Sequence, residues 1–270
     1  MTGLVLTARE AGGPPIDLTG VLPERLADGG VAALPVIRGR ERVRLDELFE
    51  LRDGGPSGTL ILRPNGAVLD NVGAGMAAGE IVVEGHCGDN AGAGMRGGAL
   101  LIEGDCGAFA AAEMAGGRLR VAGAAGDFLG APLAGSPRGM RGGSVFVGRA
   151  GDRAGERMRR GLIAVQGDVG GWCGARMIAG SIVVGGEAGA GLGSAMRRGS
   201  ILLARDPAEP TPGFADGGEH ELLFLELMRR DLMAAGAWPM EFPPAGIRAR
   251  RLIGDRTVGG LGELLVLSYT

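Results

Sequence analysis

The stretch Met76-Ala-Ala-Gly-Glu-Ile-Val-Val-Glu-Gly85 returns nineteen residues later as Met95-Arg-Gly-Gly-Ala-Leu-Leu-Ile-Glu-Gly104. The pattern then recurs from Met114 (MAGGRLRVAG), Met140 (MRGGSVFVG), Met158 (MRRGLIAVQG), Met177 (MIAGSIVVGG) and Met196 (MRRGSILLA). Successive methionines are 19, 19, 26, 18, 19 and 19 residues apart. Such a unit is too short for a helix pair, and its Gly-x-Ile-x-Val core alternates with the two-residue period of a strand that has one buried face. The inward column is Ile81 and Val83, Leu100 and Ile102, Leu119 and Val121, Val145 and Val147, Ile163 and Val165, Ile182 and Val184, and Ile201 and Leu203. No single unit buries enough apolar area to fold alone, so the units are expected to stack. The expected fold is all-β dominated: a right-handed parallel β-helix, or β-solenoid, of about seven 19-residue turns and about 34 Å long at the usual strand spacing. Glycine supplies the corners, and methionine fills the irregular part of the core.

Composition agrees with a repeat. Of 270 residues 55 are Gly, against an ordinary level of roughly 7%. The 45% hydrophobic content argues against disorder, and glycine does not recur every third residue as collagen requires. All 28 basic residues are Arg, which reads as a bias of a GC-rich genome. The formal charge of -3 and the 4% aromatic content disfavour nucleic acid as a partner. No long uninterrupted apolar run and no basic leader followed by one is present, so a soluble, cytoplasmic protein without membrane contact is expected.

The chain divides into an irregular N-terminal extension (1–56) that packs on a partner or on the repeats, the repeat domain (57–205), and a C-terminal loop, helix and tail (206–270). Within the last part, Glu219 to Ala235 reads as a helix with Leu222, Leu225, Met228 and Leu232 on one face and Gly236 ending it. That helix is expected to cap the open end of the solenoid. The 26-residue step holds seven extra residues, which should emerge as a surface loop.

Sequence signals for catalysis are weak. Gly92-Ala-Gly-Met-Arg-Gly97 fits a dinucleotide fingerprint literally, but a strand follows it where a helix is required, so its glycines read as corners. Cys87 and Cys106 occupy the same position in adjacent repeats and should stack, yet two thiols without further ligands make no metal site, and Cys173 stands elsewhere in its repeat. No catalytic and no metal-binding residue is assigned. Two surface features remain. Val82, Leu101, Phe146, Val183 and Leu202 are apolar at outward strand positions, a strip expected to meet a partner. Arg96, Arg141, Arg159 and Arg197 follow the repeat methionine directly, with Arg160 and Arg198 next and Arg157 and Arg176 just before it. They are expected to line one corner and to bind something acidic.

The repeat, clearest at Gly73-Ala-Gly-Met76 and Gly92-Ala-Gly-Met95, resembles the GXGXG-repeat β-helix shared by the C-terminal domain of glutamate synthase and the C component of formylmethanofuran dehydrogenase. Gly135-Ser-Pro-Arg-Gly-Met140-Arg-Gly-Gly143 is similar to that component's Arg-Gly-Met-x-Gly-Gly segment, and Ile16-Asp-Leu through Leu34-Pro-Val to Leu45-Asp-Glu-Leu-Phe49 is similar to its N-terminal region. The likeness covers roughly residues 15 to 205, and the Arg-, Ala- and Gly-rich composition favours the bacterial formyltransferase/hydrolase complex. The resemblance implies a non-catalytic scaffold protein of that complex in tetrahydromethanopterin- and methanofuran-linked one-carbon metabolism, of the kind used in methylotrophy and formaldehyde oxidation. There a formyl group passes to a methanofuran-type carrier and leaves as formate. Implied partners are formyltransferase, amidohydrolase-like and pterin-enzyme-like subunits. The chain would bind no cofactor of its own, the carrier being held at the level of the complex, and the acidic ligand of the arginines would be a neighbouring protein of the complex or the carrier's glutamate-rich tail. The other side of the resemblance implies an alternative, a domain that forms or gates an ammonia channel for an amidotransferase.

Overall fold

The structure, a computed structural model, describes residues 3–28, 31–209, 211–237, 239 and 247–268. Before the repeats come β1 (Leu4–Ala8), β2 (Ile16–Asp17), β3 (Pro35–Arg38), β4 (Glu41–Arg44), the short helix α1 (Leu45–Leu48), β5 (Phe49–Asp53), β6 (Thr59–Arg63) and β7 (Leu69–Asp70). The repeats give one strand each: β8 (Glu80–Val83), β9 (Ala99–Ile102), β10 (Arg118–Ala125), β11 (Arg141–Ala150), β12 (Arg160–Val165), β13 (Ser181–Val184) and β14 (Ser200–Leu203). They are followed by β15 (Ala215–Glu221), α2 (Leu223–Ala234), β16 (Arg248–Gly254) and β17 (Gly262–Ser268).

The expected closed β-solenoid is not what these strands build. Thirteen of them form one mostly parallel sheet in the order β15-β16-β17-β14-β13-β12-β11-β10-β9-β8-β6-β1-β5, and four form a small second sheet, β4-β3-β2-β7. The reason lies in how little of each repeat is extended. Only the Gly-x-Ile-x-Val run makes a strand, and the glycine-rich remainder turns through positive φ, as at Gly92 (66°) and Gly94 (63°). Those turns bond to the preceding repeat through backbone groups, for example Gly92 N–H to the Val72 carbonyl at 2.8 Å. Outside the named strands the repeats pair only as isolated parallel bridges, Cys106 with Ala125 and Val169 with Ala150 and Ala188.

The flanks also depart from expectation. The first 56 residues are not an irregular appendage: β1 runs parallel to β6 and antiparallel to β5, so the N-terminal segment extends the main sheet. At the other end β17 pairs parallel with β14, and β16 and β15 add antiparallel strands. The helix therefore does not cap the end. Residues 215–221, partly expected as helix, are strand, and α2 lies across the outer face of the sheet, where Leu225 and Leu232 pack with Phe146, Ala164, Val183 and Leu202. An apolar outer face is where an apolar helix face removes most area from water.

The core is a column in strict register. Leu60 pairs with Ile81, Ile81 with Leu100, Leu100 with Leu119, Leu119 with Val145, and the series continues through Ile163, Ile182 and Ile201 to Leu264. All of these side chains are buried, as are the seven repeat methionines. All seven repeat methionines reach toward a glycine of the next rung. A Cβ built on Gly98, Gly117, Gly143, Gly161, Gly180, Gly199 or Gly262 would lie 2.7 to 3.1 Å from the Cε of Met76, Met95, Met114, Met140, Met158, Met177 or Met196, in that order. Methionine's unbranched chain fits this slot because the partner has no side chain.

Candidate functional site

The arginines sit where the chain enters each strand, and the backbone ladder fixes their order. The N–H groups of Arg96, Ala115, Arg141, Arg159, Ile178 and Arg197 bond in turn to the carbonyls of Met76, Met95, Met114, Met140, Met158 and Met177, at 2.7 to 2.8 Å. At about 4.8 Å per repeat the row from Arg96 to Arg197 is about 24 Å long. It is interrupted by Ala115 and Ile178, so only Arg141 and Arg159 are immediate neighbours, with Arg160 in register beside Arg141. Arg96, Arg141, Arg159, Arg160, Arg197 and Arg198 are all exposed, and among the described residues none of them forms an ion pair. Water and splayed side chains keep their mutual repulsion small, but the row is a cationic edge open to an anion.

Arg157 and Arg176 are placed differently. Both turn to the buried carboxylate of Glu156, Arg176 Nη1 at 3.4 Å and Arg157 Nε at 3.9 Å, and Arg153 Nη1 joins them at 3.1 Å. Three guanidinium groups thus share one carboxylate whose side chain is only 9% exposed. Such a buried anion without partners would be costly, and the arginines supply the charge and the donors it needs. Arg157 and Arg176 therefore form a clamp within the chain, apart from the open edge.

The outward apolar strip is divided by the chain itself. Phe146, Val183 and Leu202 are buried beneath α2 and the strands that follow it, whereas Val82 and Leu101 remain half-buried on the uncovered part of the sheet. The three thiols are buried. Burial pushes Cys87 well above the ordinary thiol range, with the neighbouring Cys106 and Asp70 adding to it. Burial, then the charges of Asp105 and Asp89, raises Cys106 to about 12, and burial alone raises Cys173 to about 12. A thiol held protonated is a poor nucleophile and a poor metal ligand. His86 is exposed and accepts the Asp105 N–H on Nδ1 at 2.9 Å. Among the described residues no three His, Cys, Asp or Glu side chains are grouped to hold a metal ion, and no helix is long and apolar enough to cross a membrane. Gly92 and Gly94 shape a turn, and β9 follows that turn directly.

Solved structures match this chain. Over 98% of its length the chain superposes on a chain of the X-ray crystal structure of the formyltransferase/hydrolase complex from Methylorubrum extorquens in complex with methylofuran. The TM-score is 0.86, the sequences are 31% identical, and all of that chain (100%) is covered. Our chain belongs to the same family as that component of the formyltransferase/hydrolase complex. No protein-family model matches this family member, and no curated protein does.

Two features of this formyltransferase/hydrolase-family chain belong to no motif in its sequence. Glu156 stands two residues before Met158, where the neighbouring repeats have Ala93, Ala112, Ala175 and Ser194. That break in a column of small residues is the signal that could have revealed the clamp. The second is a set of aspartates in two rows. Asp70, Asp89, Asp105, Asp127, Asp152 and Asp168 each accept, on Oδ1, the N–H of a residue one repeat further on, at 2.7 to 2.9 Å. At Asp70, burial and then the charges of Asp89 and Asp17 outweigh the hydrogen bond from Asp89 and push its carboxyl above the usual range. These aspartates stitch turn to turn, a role visible only once the repeats are stacked.

Proposed function

We propose that the chain is the non-catalytic scaffold protein, of the C type, of a formyltransferase/hydrolase complex in methanofuran-linked one-carbon metabolism, working in the cytoplasm. The observation that carries this reading is the full-length likeness to a chain of the Methylorubrum extorquens complex, at 31% identity. The surface supports it: the chemistry on offer is a row of unpaired guanidinium groups about 24 Å long (about 4.8 Å per step) and a half-covered apolar strip, both of which suit contacts to other molecules. In this reading the formyltransferase, amidohydrolase-like and pterin-enzyme-like subunits are the partners, Val82 and Leu101 meet one of them, and Arg96, Arg141, Arg159, Arg160, Arg197 and Arg198 hold an acidic partner segment or the glutamate-rich tail of the carrier. Arg157 and Arg176 contribute by keeping the Glu156 corner in shape.

The test is to purify the tagged chain from its own host. It should bring down partner chains that together transfer and hydrolyse formyl groups, while the chain alone turns nothing over. Reversing Arg159 and Arg197 to Glu should lower carrier or partner retention at least tenfold with the thermal midpoint unchanged. A chain that purifies alone refutes its place in a complex, turnover by the isolated chain refutes the scaffold role, and a charge-reversed complex with full retention refutes the role of the arginine row.

A further inference from the structure

Helix α2 buries only part of its apolar surface. Leu225 and Leu232 face the sheet, but Leu223, Phe224 and Leu227 stay 80%, 37% and 54% exposed. At about 100° per residue, Phe224, Leu227, Met228 and Asp231 fall on one flank and Glu226, Arg229 and Met233 on the other. The second flank is closed by its own ion pair, Arg229 with Glu226, whereas the first is open.

Alongside the open flank runs a groove. Arg118 of β10, Ser144 of β11, Leu162 of β12 and Ser181 of β13 make its floor, one residue from each strand, and Phe224, Met228 and Asp231 make its α2 wall. The groove follows the stack. The 12 residues of α2 amount to about 18 Å of helix, and its C-terminal end lies at β10, where Arg120 donates to the Ala235 and Gly236 carbonyls. The far side of the groove is the arginine row. Arg160 precedes Leu162 by two residues and Arg141 precedes Ser144 by three, and the positions between them are Gly161, Gly142 and Gly143. No side chain therefore stands between the floor and these arginines. Along β12, Arg160 is four residues from Ala164, which α2 covers, or about 13 Å at the rise of a strand. That width suits one helix laid beside α2, since packed helices lie about 8–10 Å apart. Arg118, Arg141 and Arg160 are exposed, and among the described residues they form no ion pair.

We propose that this groove takes a helix of about three turns from another protein of the complex, lying beside α2 across β10 to β13; the proposal rests on the reading of the chain as a subunit. The incoming helix turns an apolar stripe to Phe224, Leu227 and Met228, and a row of Asp or Glu to Arg141 and Arg160. Residues three and four apart on a helix are about 5–6 Å apart, close to the ~4.8 Å between rungs, so successive carboxylates meet successive arginines. A glutamate-rich tail suits the groove less well, because it leaves the apolar wall uncovered and is repelled by Asp231.

The complex, purified from its host through the tagged full chain, provides the test. With p-benzoylphenylalanine in place of Phe224, irradiation should cross-link the chain to one partner protein, at a segment with apolar residues at helical spacing and Asp or Glu beside them. Leu227→Glu and Arg160→Glu should each lower retention of that partner at least tenfold with the thermal midpoint of the chain unchanged, because both side chains are exposed. Met233→Glu, on the closed flank, should retain the partner in full. Reversing the acidic residues of the cross-linked segment to Arg should restore retention by Arg160→Glu. The proposal is overturned if the cross-link forms within the chain, to a second copy or to the carrier, if Leu227→Glu or Arg160→Glu leaves retention intact, or if Met233→Glu acts as strongly as Leu227→Glu. In each of those cases partners still co-purify with the wild type and the subunit reading stands, whereas a wild-type chain that purifies alone refutes both.

Discussion

Replacing Gly161 by Ala puts the stacking of the repeats to a quantitative test. Gly161 has φ +101°, and a Cβ there would stand 2.7 Å from the Gly143 carbonyl oxygen and 2.8 Å from Met140 Cε. The backbone conformation costs an L side chain about 1–2 kcal/mol, and forcing a methyl into a filled site costs about 1–3 kcal/mol more. The sum, about 2–5 kcal/mol, corresponds to a fall in thermal midpoint of roughly 5–15 °C for a chain of this size. Gly94 is the internal control: its φ is +63° but nothing lies within 4 Å of the added carbon, so Gly94→Ala should show the conformational part alone, about 1–2 kcal/mol. Adding Met140→Ala separates the two contacts, because it clears Cε and leaves the Gly143 carbonyl in place. Relative to Met140→Ala alone, Gly161→Ala should still cost at least half its original amount. Thermal and urea melts followed by circular dichroism supply all four values. If Gly161→Ala and Gly94→Ala melt together, the close approach of successive repeats does not limit stability and the reasoning fails.

Further outcomes follow from the same structure. Burial raises Cys173 to about 12 from an ordinary 9.0, so above pH 9 the unfolded chain releases a proton that the folded chain keeps. The contribution is complete below that pH and is lost as pH rises through the interval up to the folded value, at about 1.4 kcal/mol per unit; thermal midpoints from pH 8 to 10.5 should fall less steeply in Cys173→Ala than in the wild type, and equal slopes would contradict the assignment. Leu225→Ala removes a fully buried side chain between α2 and the sheet and should cost about 2–4 kcal/mol, with faster protease cleavage in residues 223–234; an unchanged digestion pattern would mean that the helix is held by something else. Asp127→Ala removes the acceptor of the exposed Asp152 N–H and should cost about 0.5–1.5 kcal/mol, read in urea, while a neutral result would dismiss the aspartates as a support.

The strands and the inward column were legible because alternation at a fixed repeat leaves few other solutions: Ile81, Leu100, Val145 and their equivalents are buried where the pattern places them. The architecture around them was not. Closing a solenoid requires extended backbone on every side of the turn, and the glycine-rich remainder of each unit, with positive φ at positions such as Gly73, Gly75, Gly92 and Gly94, says only that the chain bends there. The C-terminal strands carry no copy of the repeat, so nothing local showed that Leu264 would continue the column from Ile201. Similarly, the helix pattern from Leu222 onward was visible, but its destination depended on Phe146, Val183 and Leu202, whose outward positions suit another protein as well as they suit a helix of the same chain. Among the arginines, composition could not separate the open row from the clamp, since Arg157 and Arg159 are two residues apart and differ only in whether Glu156 is within reach.

A stack of parallel repeats has no natural stopping point, because each rung offers the next one the same pattern of donors and acceptors. Here the parallel run stops at both ends of the main sheet: β5 runs antiparallel to β1, and β16 runs antiparallel to β17 with β15 outside it. Both terminal strands carry charged residues, Glu50, Arg52 and Asp53 at one end and Asp216, Glu219 and Glu221 at the other. At one edge the last strand is reversed, at the other the reversed β16 separates the edge from the repeats, and both edges are charged, so neither presents the repeat's own pattern to another rung. The run of parallel rungs is thus closed off within one molecule, and a chain cut after β14 would expose one uncovered parallel edge and be expected to self-associate through it.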